Sequence, residues 1–226
     1  MFGRFPPIPL DYPACLENAT SSPKAVQRLD EFAVHSVDEK LKPYENRSVE
    51  AGMKAAKLNW EGLWSLEIPN EVSHGCYEHE IEICTVGLDQ LPAPLNSATC
   101  WIYCRDAWPH VDPDFEGLMF ITLAIQADHS YNQILPRKKS IRMGVFRGSL
   151  FITDPMAMHW LAPNNADTNA GFIGLQWEVP YNQINTAYAD LVSKLAALGK
   201  VEDVTPPTMH TLLKATSEYN GAPPGY

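Results

Sequence analysis

The spacing of apolar positions divides the chain into three stretches of different texture. After an arm carrying five prolines in its first 23 residues (Pro6, Pro7, Pro9, Pro13 and Pro23), Val26, Leu29, Phe32, Ala33 and Val37 recur at helical spacing. Ser22-Pro23 supplies an N-cap and a first-turn proline, so a helix is predicted over 23–41. A second helix is predicted from Ser48 through Met53, Ala56 and Leu58, with Glu50 early and Lys54 and Lys57 late, in the sense the helix dipole favours. From about Trp64 the pattern changes to short apolar or alternating runs broken by Gly, Pro, Asn or Asp: 79–86, 98–104, 117–126, 141–146, 149–153, 158–161 and 171–179. Many short strands at this spacing predict a sandwich or barrel rather than βαβ units. Helical period returns at 182–198 through Ile184, Ala187, Leu191, Leu195 and Leu198, and Gly199 is the C-cap. The expectation is a single domain over 1–226, mainly β with flanking helices. Residues 1–65 form the arm and bracing helices, 66–180 the β core, and 181–226 a C-terminal helix and tail.

Composition narrows the function more than the fold. In 226 residues there are 17 Lys+Arg against 27 Asp+Glu, a formal net charge of −10, which disfavours non-specific binding to nucleic acid or anionic lipid. The longest apolar stretch, Gly117–Ala127, is too short to cross a bilayer and is broken by Thr122 and Gln126. The N-terminus lacks the basic-then-apolar order of a secretory signal, and five cysteines fit reduced thiols, so a cytoplasmic location is expected.

The chemistry concentrates at Trp108-Pro109-His110-Val111-Asp112. Residues two apart in an extended segment project to one face, so His110 and Asp112 can offer an imidazole and a carboxylate to one ion. Asp114 is the weaker carboxylate because Pro113 intervenes. A third ligand, His159, follows 47 residues later, after an apolar strand, the Gly148-Ser149 turn and an Asp154-Pro155 corner that can carry the chain back. Two imidazoles and one carboxylate on one side of a metal leave positions open, a set that suits non-haem Fe(II).

This His110-x-Asp112 pair, followed by an apolar strand and the Gly-Ser-Leu-Phe-Ile-Thr-Asp-Pro…His159 segment, resembles the Fe(II)/2-oxoglutarate-dependent dioxygenases over roughly residues 98–180. The resemblance implies a double-stranded β-helix, the jelly roll of cupin-like proteins. It also implies oxidative decarboxylation of 2-oxoglutarate to succinate, coupled to hydroxylation of a small-molecule or peptide substrate. That family places an Arg or Lys ten to fifteen residues after the last metal His to pair with the far carboxylate; here Thr168–Trp177 holds no basic residue. A buried carboxylate needs a fixed cation. The candidates are Arg142, which can point inward from a strand, and Arg147 beside a turn, ahead of Lys138, Lys139 and Arg105. Tyr103 and Gln176 can add hydrogen bonds.

Trp108, Trp160 and Trp177 are candidates for an aromatic substrate wall, although large aromatics in sheets commonly belong to the core. Loops 66–78, 87–97, 127–139 and 162–170 are expected to set specificity. The group His74, Cys76, His79, Glu80, Cys84, Cys100 and Cys104 invites a zinc reading, but only Cys100 and Cys104 are suitably spaced. There is no Gly-x-Ser-x-Gly elbow, and Gly171-x-x-Gly174 is too short a signal for a dinucleotide site. The alternatives are a non-catalytic cupin-like barrel that binds a small molecule or partner, and a metal enzyme of this fold that does not use 2-oxoglutarate.

Overall fold

A computed structural model describes residues 54–77, 80–135, 139–164, 171–204 and 208–211. It is mainly β, with two antiparallel sheets and few helices. In chain order the strands are β1 (Ala55–Asn59), β2 (Glu82–Cys84), β3 (Cys100–Cys104), β4 (Ala107–His110), β5 (Leu118–Gln126), β6 (Asp128–Leu135), β7 (Lys139–Phe146), β8 (Ser149–Thr153), β9 (His159–Pro163), β10 (Phe172–Pro180), β11 (Lys200–Asp203) and β12 (Thr208–Thr211). Among the described residues two α-helices, α1 (Asn70–His74) and α2 (Ile184–Leu195), accompany them. The larger sheet runs β11-β1-β8-β5-β10-β3-β2 and the smaller β12-β7-β6-β9-β4.

The pairing follows one rule from β3 to β10. β3 pairs with β10, β4 with β9, β5 with β8 and β6 with β7, so the first of these eight strands meets the last and each next strand meets the next from the end. Chain segments far apart in sequence are thereby brought side by side.

The central strands of the larger sheet, β3, β5, β8 and β10, are largely apolar on both faces because both faces are covered. Its outer face, with Trp101, Ile121, Leu123, Leu150, Ile173 and Leu175, packs under Ile184, Leu191 and Leu195 of α2 and Val72 of α1. Its inner face, with Ile102, Ala124, Phe151 and Phe172, meets Tyr131, Ile141, Met143, Val145 and Leu161 of the smaller sheet. Gly148, at φ +86° between β7 and β8, is held against β1: Leu58 N–H donates to its carbonyl at 2.7 Å, and a Cβ there would lie 2.2 Å from Leu58 O.

The helix expected at 182–198 is α2. The helix expected at 48–58 is overturned where the structure describes it: 55–59 is β1, with Ala56 and Leu58 buried and Ala55 and Lys57 partly so. Ala-Ala-Lys-Leu-Asn suits either conformation, and hydrogen bonding between β8 on one side and β11 on the other decides it. The larger sheet therefore extends beyond 66–180, into both flanking segments. Where it is described, the expected loop 127–139 holds β6 and the start of β7; its His, Ser, Asn and Gln residues occupy a buried strand despite their polarity. The other expected loops also carry structure. Residues 66–78 contain α1, 87–97 two single turns of 3-10 helix, and 162–163 end β9. The arm, the helix at 23–41, His79, Lys138, 165–170 and the tail fall outside the described residues. No helix among the described residues is long and apolar enough to cross a membrane.

Candidate metal centre

Two of the three expected ligands meet because β4 and β9 are neighbours. His110 stands directly opposite His159 in the register, so both imidazoles leave the same face of the smaller sheet, their ring centroids 4.4 Å apart. Asp112 lies just beyond the end of β4. Its Oδ1 is 3.5 Å from His110 Nε2 and its Oδ2 is 3.5 Å from His159 Nε2. All three donor atoms fall within 4.8 Å of one another. A divalent ion with bonds of about 2.0–2.2 Å holds adjacent donors about 3.0–3.4 Å apart, so the group is near the size one ion requires. Exposure rises from His159 (5%) through His110 (13%) to Asp112 (26%), which places the carboxylate toward solvent.

The Asp154-Pro155 corner holds two of the ligands. Asp154 Oδ1 accepts from Met156 N–H at 2.9 Å, and the Asp154 carbonyl accepts from Ala157 N–H at 3.1 Å, closing the turn. Pro155 O then accepts the backbone N–H of Asp112 at 2.8 Å, and Ala157 O accepts from Nδ1 of His159 at 2.8 Å. The second bond fixes the tautomer: with Nδ1 protonated, a neutral His159 presents a lone pair at Nε2. Nε2 is thus the nitrogen turned toward the Asp112 carboxylate, where one cation can be held by both. The donor set and its orientation therefore fit a divalent metal.

A cavity of about 240 Å³ opens beside this group. Its walls are mostly apolar, from Ile102, Phe120, Phe151 and Phe172 of the larger sheet, Leu161 of β9, and Phe115 in the turn after Asp112. Segment 80–83 stands at its mouth, where Ile83 is exposed. The polar residues lining it besides the three ligands are Glu80, Thr122, Tyr131, Thr153 and Gln176. Tyr131, opposite Leu161 on β6, donates its hydroxyl to Gln133 Oε1, and Gln133 is the register partner of His159. Burial pushes the Tyr131 phenol well up, so it remains a protonated donor. Gly174 leaves the floor open, since a Cβ there would come within 3.0 Å of Thr122 Cγ2 and 3.1 Å of the Phe172 ring.

Of the expected residues that the structure describes, only Gln176 lines this cavity. Tyr103 faces the other way: on β3, Cys100, Ile102 and Cys104 point inward, and Tyr103 packs with Trp101 on the outer face. Arg142 is exposed, on the opposite face of β7 from the inward Ile141, Met143 and Val145. Arg147 stacks over the Trp64 ring at 3.6 Å, away from the site. Arg105 lies beyond β3 with its guanidinium 3.9 Å from Asp106. The side chain of Lys139 is outside the described part of the structure, and no Lys or Arg is found among the described residues lining the cavity. Among the described residues lining the cavity, none offers a cation to the far carboxylate of 2-oxoglutarate.

The aromatic wall is corrected as well. Trp160 is fully buried and, next to His159 in a strand, points to the other face of the smaller sheet. Trp177 belongs to the outer core and donates Nε1–H to Ser97 Oγ at 3.0 Å. The side chain of Trp108 is outside the described part. Phenylalanines form the wall instead. Asp114 is exposed in the 113–115 turn and away from the ligands.

The zinc reading fails among the described residues, where the triad is the only group of three or more metal-ligating side chains that meet. Cys100 and Cys104 are buried on the inner face, and burial pushes the Cys100 thiol up to about 12 and that of Cys76 to about 11. They remain thiols. His129, also inside, is a neutral core imidazole: Nε2–H donates to Arg105 O at 2.7 Å, and burial lowers its pKa. Thr122, Tyr131, Gln133, Thr153 and Ala157 escaped the sequence reading. Period-two alternation about Tyr131 was the one signal that could have found β6. The chain matches no protein-family model and no curated protein.

Proposed function

We propose that this chain is a mononuclear non-haem Fe(II) oxygenase on a double-stranded β-helix, with His110, Asp112 and His159 as ligands. The observation that carries the reading is the convergence of two imidazoles and one carboxylate beside an apolar cavity. The nested pairing of β3 with β10 through β6 with β7 is that of a jelly roll folded from one long hairpin, which supports the fold. His110, Asp112 and His159 would hold iron on one side, and the open positions would supply dioxygen activation for oxidation of a C–H bond.

The chain's own residues do the rest. The Asp154-Pro155 corner and the Ala157 carbonyl keep His159 and Asp112 oriented before the ion arrives, which limits the reorganisation that binding would otherwise require. Phe120, Phe151 and Phe172 exclude water from the space beside the ligands. The protonated Tyr131 hydroxyl fixes Gln133 behind His159. No step is assigned to 2-oxoglutarate. The absence of a lining cation among the described residues favours the variant of this reading in which electrons come from another reductant.

Anaerobic addition of Fe(II) to the metal-free protein, then of 2-oxoglutarate, tests both points. One equivalent of iron is expected to bind, with no visible charge-transfer band on adding 2-oxoglutarate and no succinate under oxygen. A band together with succinate release would restore 2-oxoglutarate as co-substrate; failure to bind iron would remove the oxygenase.

A further inference from the structure

Thr122 and Gln176 are register partners on β5 and β10, and their side chains enter the cavity from the larger sheet. Thr122 is 2% exposed and Gln176 5%. Among the described residues neither side chain has a hydrogen-bond partner. Side-chain hydroxyls and carboxamides that line a cavity form their hydrogen bonds with whatever occupies it. Two of them side by side on one wall form a polar pair in a mostly apolar lining. The neighbouring groups define its character: Phe120, Phe151 and Phe172 are apolar, and no lining cation is described.

We infer that Gln176 and Thr122 recognise a neutral group carrying both a donor and an acceptor, such as an amide or lactam edge, while the apolar body of the ligand lies against the phenylalanines. A carboxamide pairs with such an edge in both directions, its Nε2–H donating to the ligand carbonyl and its Oε1 accepting from the ligand N–H. The Thr122 hydroxyl takes the second lone pair of that carbonyl. A carboxylate offers only acceptors, leaves Gln176 Oε1 unpaired and brings an uncompensated charge into an apolar enclosure. The inference deepens the oxygenase reading by naming the class of substrate. It rests on that reading only for taking this cavity as the substrate site.

Benzamide and benzoate are matched probes of similar shape that differ in this group. Their binding to the metal-free full-length chain, where no ion can capture the carboxylate, is measured by ligand-observed NMR or calorimetry. Benzamide is expected to bind about tenfold more tightly than benzoate, and Gln176→Leu to reduce the ratio to about one. Thr122→Val, a near-isosteric change that keeps the fold if Gln176→Leu does not, is expected to lower the ratio severalfold. Equal or tighter binding of benzoate, no binding of benzamide, or an unchanged ratio in both variants would overturn the assignment. Because the ion is left out, a triad that fails to hold iron leaves this result intact, and the reverse also holds.

Discussion

The two sheets use opposite chemistry. The larger one is filled from both sides by Leu, Ile, Val and aromatic residues, and it lines the site with phenylalanines, isoleucines and three neutral polar side chains, Thr122, Thr153 and Gln176. The smaller one buries His129, Ser130, Asn132, Gln133 and His159 in adjacent strands, each polar group needing a partner. The first sheet is a platform and the second is the site. A buried polar strand costs desolvation that only a specific network or ligand offsets, so a fold that concentrates such residues on one sheet concentrates function there.

That contrast predicts where substitutions act. The largest effect belongs to the ligands. His159→Ala or Asp112→Ala is expected to weaken iron binding by more than about 100-fold, measured by competition with a chelator, while far-UV circular dichroism stays unchanged. Next is the corner that orients them. Asp154→Ala frees Met156 N–H and loosens Ala157 and Pro155, so iron affinity should fall about 10- to 100-fold, together with a loss of thermal stability. Equal iron affinity in Asp154→Ala would separate the corner from the site.

A smaller effect should come from His129. Its folded pKa lies below that of the unfolded chain, so the unfolded state binds the proton more readily, and stability is lost as pH falls below about 6.5. Denaturant melts of wild type and His129→Gln between pH 7 and pH 5 should show a decline in the wild type that the variant lacks. Smallest is the platform's rim. Arg147→Ala removes the stacking on Trp64 and is expected to lower stability by about 0.5–1 kcal/mol without changing iron affinity or ligand binding in the cavity. A change in either would return Arg147 to the site.

The same contrast explains what the sequence disclosed. The runs 98–104, 117–126 and 171–179 are legible because strands covered on both faces read as continuous apolar segments. His110, Asp112 and His159 are legible because their types are rare inside strands and the Asp-Pro corner marks a reversal of the chain. β6 is not: its alternating residues are Tyr131 and polar groups, which resemble a loop until the partner strands are known. β1 reads as helix because Ala and Lys favour one locally, while the preference for strand comes from β8 and β11, distant in sequence. Arg142, Tyr103, Trp160 and Trp177 were placed by residue type, but a one-position change of parity moves a side chain to the other face of its sheet. In all four the face is fixed by pairing, not by composition.

An oxygenase of this kind requires that three side chains from two distant segments hold one ion. Metal analysis of the protein loaded anaerobically with Fe(II), beside His110→Ala, Asp112→Ala and His159→Ala, measures this most directly. About one iron per chain in the wild type and close to none in each folded variant is the predicted result; full occupancy in any of the three would contradict it.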